Sequence, residues 1–324
     1  MKHSLLTSFP ANAAERDAWI LSLRAERNIV DALRPYAFLV EEECAASGEV
    51  VQVATVFLTN RECPWRCLMC DLWRNALTES VAAGAIPTQI DYALQRLGEA
   101  RQIKLYNSGS FFDRKAIPPQ DFAAIAERLA GFERVIVECH PALVGETCIH
   151  FRDLVAGRLE VAIGLETAHP EILERLNKRM SLKQFEKAAE FLRKNDIDLR
   201  VFILVKPPFM GEEEAVEWAA RSLEFAFDCG AAAATLIPTR GGNGAMDELA
   251  EAGLFSPPKL ASLETAMAAG LAMQRGRVFA DLWDVKRAVS CETCAPLRIS
   301  RLHAMNLQQC ILPPVHCVRC GGLS

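Results

Sequence analysis

The reading of this chain turns on residues 51–73, Val51-Gln-Val-Ala-Thr-Val-Phe-Leu58-Thr-Asn-Arg-Glu-Cys63-Pro-Trp-Arg-Cys67-Leu-Met-Cys70-Asp-Leu-Trp73. An apolar, β-branched run of strand length is followed at once by three cysteines spaced C-x3-C-x2-C. In a parallel α/β barrel the loops after the C-terminal ends of strands build the active site, so the thiols fall where chemistry is expected.

Outward from this point, apolar β-rich runs alternate with helical stretches. The runs are Val51–Leu58, Ile103–Asn107, Arg134–Glu138, Leu159–Leu165, Leu199–Val205 and Ala232–Ile237. The helical candidates lie near Thr88–Ala100, Pro119–Gly131, Glu146–Gly157, Leu182–Asn195 and Glu212–Cys229. Strands alternating with helices imply βαβ units and parallel pairing. Six units suit an α/β fold built as a partial (β/α)6 TIM-like barrel. A doubly wound open sheet has the same alternation, and the pattern alone does not separate the two. Residues 12–35 suggest one or two helices, and Glu41–Glu43 with Ser47–Gly48 read as a loop. Pro257–Gly276 is a further helical candidate, and the tail after Ser290 is Cys-rich with little apolar periodicity. The expected organisation is an N-terminal helical extension over 1–48, the barrel over 49–245, and C-terminal helices with a small Cys-rich metal-binding module over 246–324.

The bulk figures narrow the class. The 324 residues are 51% hydrophobic and 24% charged, which supports a large core. No apolar run reaches membrane-spanning length, and the N-terminus lacks an apolar signal core, so a cytoplasmic location without membrane association is expected. The net charge of −5 does not favour broad nucleic-acid binding. Twelve cysteines without a secretory signal point to metal or redox work rather than disulfides. Cys44, Cys139, Cys148 and Cys229 are scattered and read as small buried hydrophobes.

Three thiolates are one fewer than a four-iron cluster needs, which leaves one iron open to another ligand. A zinc site completed by His140 or Asp71 is an alternative. The loop resembles the signature of the radical S-adenosylmethionine superfamily. The resemblance implies a [4Fe-4S] cluster on Cys63, Cys67 and Cys70. S-adenosylmethionine would bind the open iron and be cleaved by electron transfer to a deoxyadenosyl radical. Where the family commonly has an aromatic residue before the third cysteine, this chain has Met69, with Trp73 as the nearby ring. The family's glycine-rich stretch that binds the methionine amino group resembles Asn107-Ser108-Gly109-Ser110, here without the usual acidic residue. Gly164-Leu-Glu166-Thr167 resembles the family's glycine–glutamate segment, with Glu166 toward ribose or amino group. Lys178 or Arg179 is the expected clamp on the methionine carboxylate.

Further segments resemble the elongator-type and archaeosine-forming radical enzymes of transfer-RNA modification, over about residues 50–240. They are Lys104-Leu-Tyr-Asn-Ser-Gly-Ser-Phe111, Val137-Glu-Cys-His-Pro141, Gly164–Thr167, Asn177-Lys-Arg-Met180 and Val205-Lys-Pro-Pro-Phe209. This resemblance implies a nucleobase or transfer-RNA substrate and an electron donor of flavodoxin or ferredoxin type. A small-molecule or peptide natural product is the rival substrate. A non-catalytic zinc or iron–sulfur protein with structural or sensor duty is the rival from another class. Lys206, Thr239, Arg240 and Asn243 are expected to ring the barrel mouth, with Thr239–Gly244 as a flexible substrate loop and His140 either structural or functional.

In the tail, Cys291-Glu-Thr-Cys294 and Cys317-Val-Arg-Cys320 are two C-x2-C pairs separated by 22 residues. Four thiolates can close a zinc site or fully ligate a four-iron cluster. Cys310 is a fifth thiol, His303 and His316 are possible competitors, and Gly321–Gly322 suit a knuckle turn. Paired knuckles are the usual mark of zinc. The superfamily resemblance instead implies an auxiliary iron–sulfur cluster.

Overall fold

Strand parity explains the architecture. In β-strands alternate side chains face opposite ways, and here one face is aliphatic while the other carries charged, small and aromatic residues, Phe57, Tyr106 and Phe202 among them. The computed structural model describes residues 9–320, so Gly321, Gly322 and the first eight residues lie outside it. In chain order the elements are α1 (Ala13–Ser22), β1 (Ala37–Cys44), β2 (Val50–Phe57), α2 (Ala85–Leu94), β3 (Gln102–Tyr106), α3 (Phe122–Arg128), β4 (Arg134–Glu138), α4 (Glu146–Leu154), β5 (Arg158–Glu166), α5 (Pro170–Arg175), α6 (Leu182–Lys194), β6 (Asp198–Val205), α7 (Glu212–Asp228), β7 (Ala233–Pro238), α8 (Ala245–Glu251), α9 (Leu260–Ala272), β8 (Arg277–Ala280) and α10 (Ala295–Gln308).

The strands form one sheet in simple order from β1 to β8. β1 pairs antiparallel with β2, and every later pair is parallel. A doubly wound sheet reverses its strand order at a switch point. This one never does, so the sheet curls as a partial barrel. The six expected strands are β2 to β7. Outside the curl, Val56, Ile103, Leu105, Val137, Val161, Ile163, Val201 and Leu236 are fully buried under the helices.

Two strands were not foreseen. Glu41–Glu43, read as a loop, lies in β1, and Glu43 is buried. β8 adds a second flank. Of residues 12–35 only α1 is helical; the segment after it is pinned by Arg24 and Arg27, both ion-paired to Glu62. β1 and β8 do not pair, and the seam between them is covered by α10, which packs on both. Arg277 in β8 reaches across, its Nη1 donating to the Cys44 carbonyl at 3.2 Å.

The N-terminal ends of the strands are plugged by charge. Arg200 joins Glu43 at 2.6 Å and Glu160 at 2.5 Å. Lys104 joins Glu43 at 2.6 Å, and Arg134 joins Glu160 at 2.8 Å. The barrel is thus closed at its base, and the cysteine loop lies at its mouth, after the C-terminal end of β2.

Candidate active site

The cysteine loop leaves β2 and is held by side-chain amides rather than by regular structure. Asn243 Nδ2 donates to the Leu68 carbonyl at 2.8 Å and to the Cys70 carbonyl at 3.2 Å. Asn177 Nδ2 donates to the Arg66 carbonyl at 2.8 Å, and Leu68 N–H to the Leu176 carbonyl at 2.9 Å. Leu68 itself is fully buried and anchors the loop. Trp65 stacks on His140, with ring centroids 3.7 Å apart and planes 13° off parallel. Both imidazole nitrogens are engaged: Nε2 with the Lys178 carbonyl at 3.0 Å, and Nδ1 accepting from Ala142 N–H at 3.2 Å. Burial lowers the His140 pKa to about 4, and the Lys178 charge adds to this. His140 is therefore a neutral brace for the loop.

Cys63, Cys67 and Cys70 are half-buried free thiols. Burial pushes each up to about 12, while Lys178 draws Cys63 and Cys67 the other way. Lys178 is the centre of the site. Its Nζ lies 2.5 Å from Glu166 Oε1. Burial acts to lower its pKa, but Glu166 and the Cys67 and Cys63 thiols hold it above its ordinary value. Glu166 adopts a left-handed conformation, φ 65°, at a bulge between β5 and β6. A β-carbon at Gly164 would overlap the Glu166 carboxylate and lie 2.5 Å from Lys178 Nζ, so only glycine leaves room for the pair.

The stretch Asn107–Ser110 divides by role. Ser108 Oγ is 3.1 Å from the Tyr36 hydroxyl, and Ser110 Oγ accepts from His140 N–H at 2.7 Å, so both hydroxyls serve the scaffold. Gly109 packs on the loop, where an added β-carbon would sit 3.2 Å from Cys63 Cβ. Asn107 is fully buried, yet neither its Nδ2 nor its Oδ1 has a partner. Buried polar groups are nearly always satisfied, so such an orphan points to a ligand or water.

Sequence reasoning missed Glu138. It ends β4, and its carboxylate accepts the Asn107 N–H at 2.9 Å, with the Ser108 and Gly109 N–H groups also turned to it. Burial raises its pKa to about 7, against the pull of those N–H groups. It puts an acidic group beside the glycine-containing stretch, where the motif itself has none. The signal was its inward parity on β4, two residues before His140.

Other expectations are corrected. Arg179 turns outward, donating to the Ala13 carbonyl at 2.8 Å and pairing with Asp17 at 2.7 Å, because α1 packs there; Lys178 takes the inner place. Trp73 is buried, with the Arg24 guanidinium 4.6 Å from its ring centroid, so it is not a free ring for a cofactor. Lys206 is buried and bound to Glu212 at 2.7 Å and Ser256 at 2.8 Å. Thr239 donates to the Val205 carbonyl at 2.9 Å. The Thr239–Gly244 loop is tied down, with Gly242 and Gly244 N–H both donating to Asp247. Arg240 lines a small cleft with Trp283 and Arg287. Among the described residues, one group of cysteines gathers tightly, Cys291, Cys294, Cys317 and Cys320; Cys310 lies outside it.

The donor set fits the groups the resemblance implies. Three soft thiols share one loop beside a fixed cation, and an unpartnered amide and two carboxylates stand nearby.

Comparison with known proteins agrees. A model described as the Radical SAM superfamily matches residues 57–220. An uncharacterized protein of Methanocaldococcus jannaschii is 24% identical over 254 residues, covering 74% of this chain and 70% of that protein. The archaeosine synthase subunit beta of Methanosarcina acetivorans is 28% identical over 192 residues, which is 55% of each chain. The match therefore spans about half of that relative's length. Among solved structures, a radical SAM methyltransferase from Sphaerobacter thermophilus aligns over 77% of each chain with a TM-score of 0.50 and 14% identity, which shows a shared fold.

Proposed function

The chain belongs to the radical S-adenosylmethionine superfamily, and from that premise we propose that it cleaves S-adenosylmethionine reductively at a [4Fe-4S] cluster held by Cys63, Cys67 and Cys70 and takes a hydrogen atom from a nucleobase carried in RNA. The loop carries the first part of this reading: three thiols spaced C-x3-C-x2-C in one loop, with the Lys178–Glu166 pair acting on Cys63 and Cys67, and the orphan amide of Asn107. Bound together, cluster and cofactor supply a one-electron cleavage that generates a hydrogen-abstracting agent.

The residues of the chain do the remaining work. Lys178 offsets the negative charge of three thiolates and offers a cation to a carboxylate. Glu166 and Glu138 are acceptors for an ammonium group or ribose hydroxyls, and Asn107 offers a donor and an acceptor to the same ligand. Asn177, Asn243 and the Trp65–His140 stack fix the loop, so the thiols are set before the cluster arrives. The ion-paired base keeps water from entering the barrel from below.

The nucleobase assignment rests on the likeness to archaeosine synthase subunit beta and on the segments that resemble transfer-RNA-modifying radical enzymes. The net charge of −5 favours a second reading, a small-molecule or peptide substrate. A flavodoxin or ferredoxin type donor is the expected electron source.

The test is anaerobic reconstitution with iron and sulfide, reduction, and measurement of deoxyadenosine. Cys67→Ala is expected to lose both the cluster absorbance and deoxyadenosine formation. Wild-type cofactor cleavage in that variant would overturn the cluster assignment. Adding deuterated transfer RNA is expected to place deuterium in the deoxyadenosine. Label transfer only from a small-molecule or peptide pool would move the assignment to the second reading.

A further inference from the structure

The tail holds a second constellation that the proposed chemistry does not use. Cys291 and Cys294 precede α10, with Cys294 at its N-cap, and Cys317 and Cys320 return to the same place. All four sulfurs lie within 4.8 Å of one another. Cys291 Sγ is 4.0 Å from Cys317 Sγ, and Cys294 Sγ is 3.9 Å from Cys320 Sγ. Disulfide sulfurs sit about 2 Å apart, so these are not bridged pairs.

The spacing separates the two metal occupants that the sequence leaves open. A tetrahedral ion with metal–sulfur bonds of about 2.3 Å sets its sulfurs roughly 3.8 Å apart. A four-iron cubane takes each cysteine on a different iron, which sets the sulfurs on the order of 6 Å apart. Two of the distances here, 4.0 and 3.9 Å, stand near the first value, and all of them, at no more than 4.8 Å, fall short of the second. The turns also suit a single ion. Backbone N–H groups of Thr293 and Cys294 face Cys291 Sγ, and those of Arg319 and Cys320 face Cys317 Sγ, as in a knuckle.

We propose that Cys291, Cys294, Cys317 and Cys320 bind one zinc ion in a closed four-thiolate site. Cys310 is excluded because it lies beyond the far end of α10, a 14-residue helix, exposed and 3.7 Å from Gln308 Oε1. Neither His303 nor His316 belongs to the group.

The site's place in the fold gives it a purpose. Asn306 bonds Ala280 and Gln309 bonds Val278, so α10 runs antiparallel to β8. Cys294 is twelve residues before Asn306, roughly 18 Å along the helix toward the barrel mouth. The zinc therefore staples the irregular tail to the upper end of the helix that covers the barrel seam. Arg319 Nη1 donating to Thr293 Oγ1 at 3.2 Å and Arg301 Nη2 donating to the Leu312 carbonyl at 2.8 Å follow the same path. A segment with so little apolar burial gains most of its order from such an ion.

The full chain, reconstituted anaerobically, is analysed for both metals. The expected result is about one zinc beside about four irons per chain. Cys317→Ser/Cys320→Ser is expected to lose the zinc and keep the irons, and Cys310→Ser to keep both. Cys63→Ala/Cys67→Ala/Cys70→Ala is expected to lose the irons and keep the zinc, so a failure here is separable from a failure of the radical reading. X-ray absorption at the zinc edge of the wild-type chain, which no folding defect confounds, is expected to show four sulfur neighbours at about 2.3 Å. About eight irons without zinc, one iron in this site, a nitrogen or oxygen ligand, or no metal would overturn the proposal.

Discussion

Among single residues, His140 shows how a side chain stacked on the cysteine loop can work by remaining neutral. With one ring nitrogen donating and the other accepting, there is no room for a second proton. Its pKa near 4 in the fold lies below the ordinary value of about 6.5. Between those values the unfolded chain binds more protons, so stability is full above about pH 6.5 and falls as pH drops toward 4. The loss is on the order of 3 kcal/mol. His140→Gln is expected to flatten this slope, read as the difference between variant and wild type in urea midpoint at pH 7.5 and pH 5. An equal slope in both would show that the imidazole titrates freely. While their roles stand as proposed, the cysteine loop after β2 and the position of Glu166 at the end of β5 were legible because spacing and local segments carry them. The choice of Lys178 over Arg179 was not, because it depends on α1 docking against Arg179 from far away in sequence. Glu138 was hidden for a similar reason, as its partners are N–H groups of a neighbouring strand's loop.

At the element scale, the strands that escaped notice are the two at the sheet edges. β1 carries Glu41, Glu42 and Glu43 in a row, which reads as a solvated turn until partners appear across the barrel. β8 has four residues, too short for a periodic signal. An edge strand must also hide its open hydrogen-bonding groups, and β8 does so by an unusual route. Asn306 Oδ1 accepts from Ala280 N–H at 2.8 Å and its Nδ2 donates to the Ala280 carbonyl at 2.9 Å. Gln309 does the same for Val278, at 2.8 Å and 3.0 Å. Two side-chain amides thus stand in for a ninth strand. Asn306→Ala or Gln309→Ala frees two backbone groups each, at a cost of about 1–3 kcal/mol. Hydrogen exchange at the Ala280 and Val278 amides is expected to quicken in the respective variants while β4 stays protected. Unchanged protection at those amides would mean that α10 covers the edge without these bonds.

At the scale of the whole molecule, a barrel that handles reactive intermediates needs one open end and one closed end. Here the closure is electrostatic. Arg200 is 2% exposed and lies between Glu43 of β1 and Glu160 of β5. Arg134 and Arg277 complete the shell around Glu160. Such a network adds little over an apolar plug, but removing one member strands the opposite charge in a dry interior. Arg200→Met leaves two carboxylates short of their main partner, and an expected loss of roughly 3–5 kcal/mol follows. Replacing Glu160 by Gln in the same chain removes one stranded charge and is expected to recover part of that loss, because the remaining cations then serve Glu43. The comparison is made by denaturant midpoints of the two variants and the wild type. If Arg200→Met alone cost less than about 1 kcal/mol, within the range of exposed ion pairs, the base would be hydrated rather than sealed. The barrel would then have to exclude water by some means other than this cluster.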